Sequence, residues 1–336
     1  MAERSNQKLK LIYILDILKR YSDEDNPLNA TEIAEKLAQF DVTAERKSIY
    51  NDIAHLEQYG CDIIKATRPK KGWFIGDREF EVPEIYLLCD AVRSAKFISS
   101  KKTRELLQKL NLMLSVYQAK RWRNSVFFSI GDKSANEEIY YNIDKLSNAI
   151  ENKKQVSFEY SSRVFDQNRE VERKSKKMVI NPYALTWQDD YYYLIGNYSK
   201  YDNLIHLRLD RINNVEILET DARHFSEVSE YTDYFDIADY TNKLFGMHSG
   251  ELYDVEFCCN RDITEQVIDR FSEKIFITKV NEKTFNFTVK AALSQALVTW
   301  IMNYGSGLKV VKPEILQDMV KQRAKEVLEI YGNDEK

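Results

Sequence analysis

The 336-residue sequence lacks the long apolar segments that mark membrane and secreted proteins. No apolar run approaches the roughly 20 residues that a membrane-spanning helix needs. The first ten residues, MAERSNQKLK, contain no apolar stretch of the kind found in a secretory signal. We therefore expect a cytoplasmic protein, and the chain length allows two or three domains.

Motifs for metals, cofactors and catalysis are also missing. The four cysteines form no CxxC pair, and the four histidines form no HExxH or Cys/His cluster. The ten glycines are scattered, so no glycine-rich phosphate loop is present, and no Ser/His/Asp set has motif support. Asp189 and Asp190 could mimic paired carboxylates, but a tight hairpin turn explains both. We expect reduced thiols, no metal, no cofactor and no enzymatic activity.

Neither sign of charge dominates, because 49 basic residues are balanced by 53 acidic residues and the net charge is −4. This balance argues against a protein that coats nucleic acid non-specifically, although a few basic residues can still share one face. Tyrosine is unusually frequent, with 21 copies. Tyrosine suits half-buried faces of β-strands, where its ring is packed and its hydroxyl reaches a solvent-exposed edge.

Residues 1–78 have the pattern of a winged helix-turn-helix. Apolar residues at helical spacing predict helices at about 8–20, 30–40 and 44–59. Asn29, with Glu32 three residues later, predicts a capping box at the second helix. Gly60 is placed to end the third helix. Two apolar-rich segments then flank a basic tip at 68–72 and predict a hairpin.

In a helix-turn-helix the third helix enters the major groove, where Arg pairs with guanine and Asn with adenine. Basic residues at the hairpin tip would contact phosphates or the minor groove. Residues 1–75 hold 12 basic and 12 acidic residues, so a winged helix used for protein contacts remains the alternative. The residues predicted to contact DNA are Thr43, Arg46, Lys47, Ser48, Tyr50, Asn51, Arg68, Lys70 and Lys71.

The rest of the chain predicts three further domains and a linker, giving an α+β multidomain fold. A helical connector is expected at 79–137, and a helix followed by a five-stranded β-barrel at 138–222. A linker is expected at 223–250. The order βαββαβ with a final helix predicts a ferredoxin-like C-terminal extension at 251–332, which we expect to mediate dimerisation.

The predicted strand 204–209 places His206 and Arg208 on one face, where a phosphate-bearing ligand could bind. Alternatively, Asp210 pairs with Arg208 or Arg211 and fixes the end of the barrel. The basic run 173–177 is interpreted as a solvated loop rather than a nucleic-acid contact. The residues predicted to bind the ligand are Tyr160, Arg163, Tyr193, His206, Arg208 and Arg211.

Four motifs, at 181–185, 192–194, 207–212 and 303–313, resemble those of the WYL-domain transcription regulators. Tyr192-Tyr193-Leu194 stands where that family has Trp-Tyr-Leu, so the first position departs from the family pattern. The preceding 181–185 matches the family's Pro-x-x-Leu strand, and 207–212 matches its Phe-Arg-Leu-Asp-Arg-Ile strand. Residues 303–313 resemble the end of the family's C-terminal WCX extension. The resemblance covers nearly the whole chain.

The resemblance implies a homodimeric, sequence-specific regulator of transcription that binds double-stranded DNA. Its WYL domain, an Sm-like or SH3-like barrel, would sense a nucleotide or oligonucleotide effector. Two half-sites would lie about one helical turn, roughly 34–36 Å, or a multiple apart. We expect a repressor rather than an activator, although no residue decides the sign. The alternative is a barrel that binds single-stranded nucleic acid, with the winged helix making protein contacts.

Overall fold

The structure is a computed structural model that describes residues 9–125, 133–165, 171–273 and 275–332. Parts of four predicted regions lie outside the described residues: 1–8 of the winged helix, 126–132 of the connector, 166–170 of the barrel domain and 274 of the C-terminal extension. The chain divides into two compact units, Met1–Glu137 and Glu138–Lys336. Within the described ranges it is a mixed α/β protein with three antiparallel sheets. No helix in those ranges has both the length and the apolar character needed to cross a membrane.

The first unit opens with three helices and an antiparallel hairpin. The apolar faces of the three helices pack with the hairpin to form a hydrophobic core. This core includes Ile14, Ile33, Ile49 and Trp73. The elements are α1 (Lys10–Tyr21), α2 (Ala30–Ala38), α3 (Arg46–Tyr59), β1 (Ile63–Ala66) and β2 (Gly72–Ile75).

The start of α2 and the end of α3 are where the sequence predicts them. The Asn29 side chain accepts hydrogen bonds from the backbone of Thr31 and Glu32, and the Glu32 side chain accepts one from the backbone of Asn29 at 2.9 Å. The capping box is therefore confirmed. Gly60 ends α3 with a φ of 104°, a left-handed conformation that costs glycine little because it has no Cβ.

Three more helices complete the first unit: α4 (Val82–Ser94), α5 (Ser100–Asn111) and α6 (Val116–Ser125). They share a small core around Ile85 and Cys89. Burial raises the pKa of the Cys89 thiol to about 11, so this cysteine is a protonated core residue at neutral pH.

A buried polar contact joins the α1–α2 loop to the start of α6. Asp23, only 3% exposed, accepts hydrogen bonds from the Ser115 hydroxyl and from both the backbone and the side-chain nitrogen of Asn26. Arg78 donates at 2.9 Å to the carbonyl of Ser22 and at 3.4 Å to that of Met113. These bonds hold the three-helix core and the helices that follow it in one body.

Replacing Asp23 with alanine is expected to lower the free energy of unfolding by about 2 kcal/mol, because the buried Ser115 hydroxyl loses its acceptor. Urea unfolding of the full chain measures this. Asp25→Ala is the matched control, since the exposed Asp25–Arg121 pair should contribute about 0–1 kcal/mol. Equal effects of the two substitutions would contradict a structural role for the buried carboxylate.

The second unit begins with α7 (Ile139–Glu151), which packs on a five-stranded antiparallel sheet. Asn142 and Lys145 of α7 donate to the carbonyls of Ile212 and Val215 at 3.0 and 2.9 Å. The sheet has the order β6-β5-β4-β3-β7, and a 3₁₀ turn at Leu209–Arg211 connects its two edge strands. The strands are β3 (Lys154–Phe165), β4 (Val171–Gln188), β5 (Tyr191–Tyr198), β6 (Leu204–Arg208) and β7 (Ile212–Asp221).

The strands β3 and β4 extend together into a ribbon, and the interpretation of 173–177 as a loop is wrong. These residues belong to β4, which pairs with β3 as far as Phe165↔Val171. Only β3 and β4 pair with each other beyond Tyr160, so this part is a two-stranded ribbon.

The predicted hairpin turn after Gln188 is confirmed, because Asp189 and Asp190 both have positive φ and Gln188 pairs with Tyr191.

The segment 223–250, predicted to be a linker, is packed against the sheet. It contains α8 (Ile237–Asn242), and its buried residues Tyr240, Leu244 and Met247 form one cluster with Ile195 and Leu204 of the sheet. Apolar residues spread over an irregular segment give no periodic signal, which is why the sequence did not reveal this packing.

The chain ends in a four-stranded antiparallel sheet with helices and an aromatic core. Counted within this sheet, the strand order is 4-1-3-2. Phe257 and Phe287 are fully buried, and Trp300 packs beside Phe257 and Phe271. The elements are β8 (Leu252–Asn260), α9 (Thr264–Phe271), β9 (Phe276–Val280), β10 (Thr284–Ala292), α10 (Gln295–Met302), β11 (Leu308–Lys312) and α11 (Glu314–Gly332).

Candidate nucleic-acid interface and ligand site

Helix α3 presents a buried apolar side and an exposed polar side. Ile49, Ile53 and Leu56 point into the core. Asp52, also buried, forms an ion pair with Lys10 of α1 at 2.7 Å, which fixes the helix against its neighbour. The exposed side of the first turns carries Arg46, Lys47 and Asn51, with Thr43 exposed just before the helix. This is the side on which donors for base edges were predicted.

Three of the predicted DNA contacts also hold the fold together. The Ser48 hydroxyl accepts a hydrogen bond from Lys10 at 2.6 Å, and the Tyr50 ring meets the edge of Trp73 with centroids 4.9 Å apart. Lys70 forms an ion pair with Glu32, the capping-box residue. Arg68 and Lys71 are exposed at the hairpin tip. The cations that face solvent most directly are therefore Arg46, Lys47, Arg68 and Lys71.

His206 and Arg208 lie on one face of the sheet, as the alternation predicts, since they pair opposite Ile195 and Tyr193 of β5. That face is covered, however. The His206 imidazole makes a 2.9 Å hydrogen bond with the Tyr240 hydroxyl. Burial lowers the pKa of His206 to about 4, His248 acts in the same direction, and a hydrogen bond to the Met247 backbone opposes both. A neutral, covered imidazole cannot supply positive charge to a phosphate at neutral pH.

The depressed pKa of His206 predicts a loss of stability in mild acid. The unfolded chain binds the proton near pH 6.5 and the folded chain only near pH 4, so stability falls as the pH drops between these values. Between pH 7 and pH 5 the contribution is about 2 kcal/mol. Urea unfolding at both pH values should show this loss in the wild type and not in His206→Gln. The same loss in both proteins would contradict the assignment.

Arg208 is held by two neighbours rather than left open. Its Nε and Nη2 donate to the two carboxylate oxygens of Asp210 at 3.0 and 2.8 Å. Its guanidinium lies 3.3 Å from the centroid of the Tyr191 ring. Burial would lower the pKa of Arg208, but the hydrogen bonds and charge of Asp210 raise it overall. Of the two interpretations of this cluster, the structure favours the one in which Asp210 fixes the end of the sheet.

The other predicted ligand residues do not converge on His206 and Arg208. Tyr193 is half-buried among the residues that cover the sheet face, and burial raises its pKa. Tyr160 is half-buried opposite Lys176. Arg163 is exposed on the β3–β4 ribbon, and Arg211 is exposed in the 3₁₀ turn. The six residues are thus divided between a covered face and an exposed, basic outer surface.

The β3–β4 ribbon is a basic surface of the five-stranded sheet. Residues 161–165 and 171–177, which we call the basic ribbon, include five basic residues and one acidic residue, Glu172. Arg163 lies directly opposite Arg173, and all of 171–177 is exposed. Like charges placed directly opposite each other on a sheet are destabilising unless an anion lies between them.

A cleft of about 430 Å³ lies beside the covered face and contains none of the predicted ligand residues. Tyr231, Tyr240 and Leu244 from the segment 223–250 line it. Its charged lining residues are the carboxylates Asp202, Glu230 and Glu251. Such a lining does not favour a phosphate group. The cleft was missed because 223–250 was interpreted as a linker.

A buried amide network organises the strands above this cleft. The Asn181 side chain donates to Asn197 at 3.0 Å and accepts from Gln155 at 2.8 Å and from the Arg223 backbone at 3.0 Å. Asn197 in turn donates to the carbonyls of Tyr201 and Asn203. Asn181 belongs to the motif at 181–185, but the motif pattern alone does not predict these hydrogen bonds. These contacts give Asn181 a structural role.

Within the ranges that the structure describes, no three His, Cys, Asp or Glu side chains come close enough together to hold a metal ion. The buried thiols also lack the environment of reactive cysteines, since burial raises the pKa of Cys259 to about 12.

Comparisons with known proteins give two domain matches. The WYL domain model matches residues 141–217, and the WCX domain model matches residues 251–328. No curated protein matches the chain.

Among solved structures, Proteasome accessory factor B/C (PafBC) of Arthrobacter aurescens is 15% identical, with a TM-score of 0.27, and the match covers 96% of this chain. This chain spans only 46% of PafBC. A CRISPR Cas-related protein is 11% identical, with a TM-score of 0.37, and coverage is 99% of this chain and 86% of that one.

The two domain matches include the motifs at 181–185, 192–194 and 207–212 and the C-terminal residues 303–313 on which the resemblance was based. The chain therefore carries a WYL domain followed by a WCX domain, the two domains that the motif resemblance implies.

Proposed function

We propose that this protein is a sequence-specific DNA-binding regulator of transcription. In this proposal, 1–78 is a winged helix-turn-helix, 138–222 is a WYL domain with an Sm-like barrel, and 251–332 is a ferredoxin-like WCX extension. The observation that carries the proposal is the exposed side of α3, where Arg46, Lys47 and Asn51 face outward from a helix fixed by a buried opposite side. An α-helix of this kind fits the major groove.

The hairpin supplies the second contact in this proposal. Arg68 and Lys71 lie exposed at its tip, where a wing would reach phosphates or the minor groove. Lys70 contributes less to DNA binding than its neighbours, because its ammonium is already paired with Glu32. Glu32 in turn keeps its charge: burial raises its pKa, but the hydrogen bonds from Lys70 and the Asn29 backbone lower it overall.

The test is equilibrium binding of the full chain to the duplex upstream of its own gene, measured by fluorescence anisotropy. We expect tighter binding to this duplex than to a shuffled duplex of the same composition. The logarithm of the binding constant should fall linearly with the logarithm of the salt concentration, because phosphate contacts release counterions. Equal affinity for both duplexes would refute sequence-specific binding.

We further propose that the protein acts as a homodimer, with the WCX extension as the contact. Strand β9 supports this, since it is an edge strand that exposes Phe276, Ile277 and Val280. Exposed apolar side chains on a sheet edge favour pairing with another chain. Light scattering coupled to size exclusion should give twice the chain mass of 39.6 kDa. A repressor remains our expectation for the sign of regulation.

The effector is proposed to be phosphate-bearing or nucleic-acid-like and to contact the outer surface of the WYL domain. The cations that support this are Arg163, Arg173 and Arg211, which are exposed, whereas His206 and Arg208 are held by protein groups. The effector would act only through a difference in its affinity for two arrangements of the protein.

The basic ribbon also favours the second candidate function, a WYL domain that binds single-stranded nucleic acid. A two-stranded basic surface beside tyrosines can follow a strand backbone while bases stack. The test is binding of a fluorescent oligothymidine by the full chain and by Arg163→Ser/Arg173→Ser. Lys200→Ser, an exposed lysine outside the ribbon, is the control. No binding by the wild type, or equal binding by all three proteins, would remove this candidate.

A further inference from the structure

The first unit contains a cavity of about 580 Å³ that no part of the proposed function uses. Three arginines from three different helices line it: Arg20 at the end of α1, Arg93 in α4 and Arg104 in α5. The cavity lies beside the small core of the connector helices, and Leu107 and Leu114 belong both to that core and to the cavity wall.

The described charged residues that line the cavity are all positive. Its described lining residues include three arginines and no carboxylate. Arginine stays charged at any physiological pH, so the three side chains cannot relieve their mutual repulsion by releasing a proton. Arg20 and Arg104 are exposed, so water screens part of this repulsion, while the apolar wall beside them helps to focus the positive field on the cavity. An anion placed among them would reverse the sign of the interaction.

The remaining lining defines the rest of the ligand. Gln108 and Asn111 offer amide groups, while Leu107, Leu112 and Val116 form an apolar wall. A cavity of this size is typical of small-molecule sites, where a largely apolar wall carries the ligand body and a few polar groups orient it. Planar guanidinium groups bind phosphate and carboxylate in pairs of parallel hydrogen bonds.

We propose that this cavity binds a small organic dianion, a phosphomonoester with an apolar body. A phosphomonoester carries a charge of about −1.5 to −2 at pH 7, which suits three arginines better than a single carboxylate does. The ligand would join α1 of the three-helix core to α4 and α5 of the connector. The site is independent of duplex binding, and binding can be measured without DNA.

Calorimetric titration of the full chain with phenyl phosphate tests the proposal, with inorganic phosphate, benzoate and phenol as comparison probes. We expect saturable binding of phenyl phosphate, at least tenfold tighter than binding of any of the other three. Its addition should also raise the melting temperature, since a ligand that binds only the folded state stabilises it. Phenol or inorganic phosphate binding as tightly as phenyl phosphate would overturn the need for both an anionic group and an apolar body. Equal binding of benzoate would overturn the choice of a phosphomonoester.

Variants locate the site. Arg20→Ala and Arg104→Ala should each weaken phenyl phosphate binding at least tenfold. The controls Lys19→Ala and Lys109→Ala, on the same two helices, remove an exposed charge outside the lining and should change it less than twofold. Leu112→Glu gives a second approach, because Leu112 lines the cavity yet is 70% exposed, so the fold should tolerate a carboxylate there. It should also weaken binding at least tenfold. Wild-type affinity in these three cavity variants, or no saturable binding by the wild type, would overturn the proposal.

Discussion

Replacing Arg46 with alanine is expected to abolish the electrophoretic mobility shift of the duplex upstream of the protein's own gene. The comparison is made at protein concentrations at which the wild type binds all of this duplex. Arg46 opens α3 and is exposed, and its side chain makes no hydrogen bond or ion pair among the described residues. Its removal should therefore leave the fold unchanged. A bidentate Arg–guanine pair is worth roughly 1–3 kcal/mol of discrimination, and removing a positive charge that faces the phosphates adds to the effect.

The control for this experiment is Lys19→Ala, which removes another exposed cation, at the end of α1 in the same unit. The affinity of Lys19→Ala for the duplex should be within about twofold of the wild-type affinity if the exposed side of α3 makes the base contacts. Binding by Arg46→Ala that equals the wild type would remove the assignment of α3 as the recognition helix. A similar weakening in both variants would indicate a general electrostatic effect instead.

Replacing Arg208 with alanine is expected to lower the free energy of unfolding by about 3 kcal/mol. The Asp210 side chain is only 9% exposed and the Arg208 side chain 22%, so the substitution leaves a carboxylate largely buried without its two hydrogen bonds. The substitution also removes the cation–π interaction with the Tyr191 ring. Urea unfolding of the full chain measures this effect.

Two further variants separate a structural role from a ligand role. Arg211→Ala removes an exposed neighbouring cation and should change stability by no more than about 0.5 kcal/mol. Arg208→Ala/Asp210→Ala should be more stable than Arg208→Ala alone, because the largely buried carboxylate that has lost the guanidinium is also removed. If Arg208→Ala proved as stable as the wild type, Arg208 would be free to serve the effector, and the structural account of the cluster would fail.

Local signals in the sequence predicted the elements that depend on few residues. The capping box at Asn29, the glycine end of α3 and the turn at Asp189–Asp190 each rest on the conformational preference of one or two side chains. The placement of Arg46 and Asn51 on the exposed side of α3 follows from helical periodicity and the apolar residues between them.

Features that depend on distant residues were not predictable in this way. The basic run 173–177 has the composition of a solvated loop and forms a strand because β3 offers it a partner. The segment 223–250 has few periodic apolar residues, yet Tyr240 and Leu244 are buried because an uncovered sheet face lies beneath them. Sequence reasoning also left open which arginine Asp210 pairs with, since only the 3₁₀ turn at 209–211 brings Arg208 into place.

Photo-crosslinking from two positions on α3 tests the central claim most directly. Tyr50 lies in the first half of this helix and Tyr59 is its last residue, and they are 47% and 85% exposed. A benzoylphenylalanine should be tolerated at either position, because at position 50 it keeps the aromatic ring that contacts Trp73. With the upstream duplex bound, the account predicts crosslinks to DNA from position 50 and none from position 59. Crosslinks from position 59 alone, or from neither position while the protein remains bound, would contradict it.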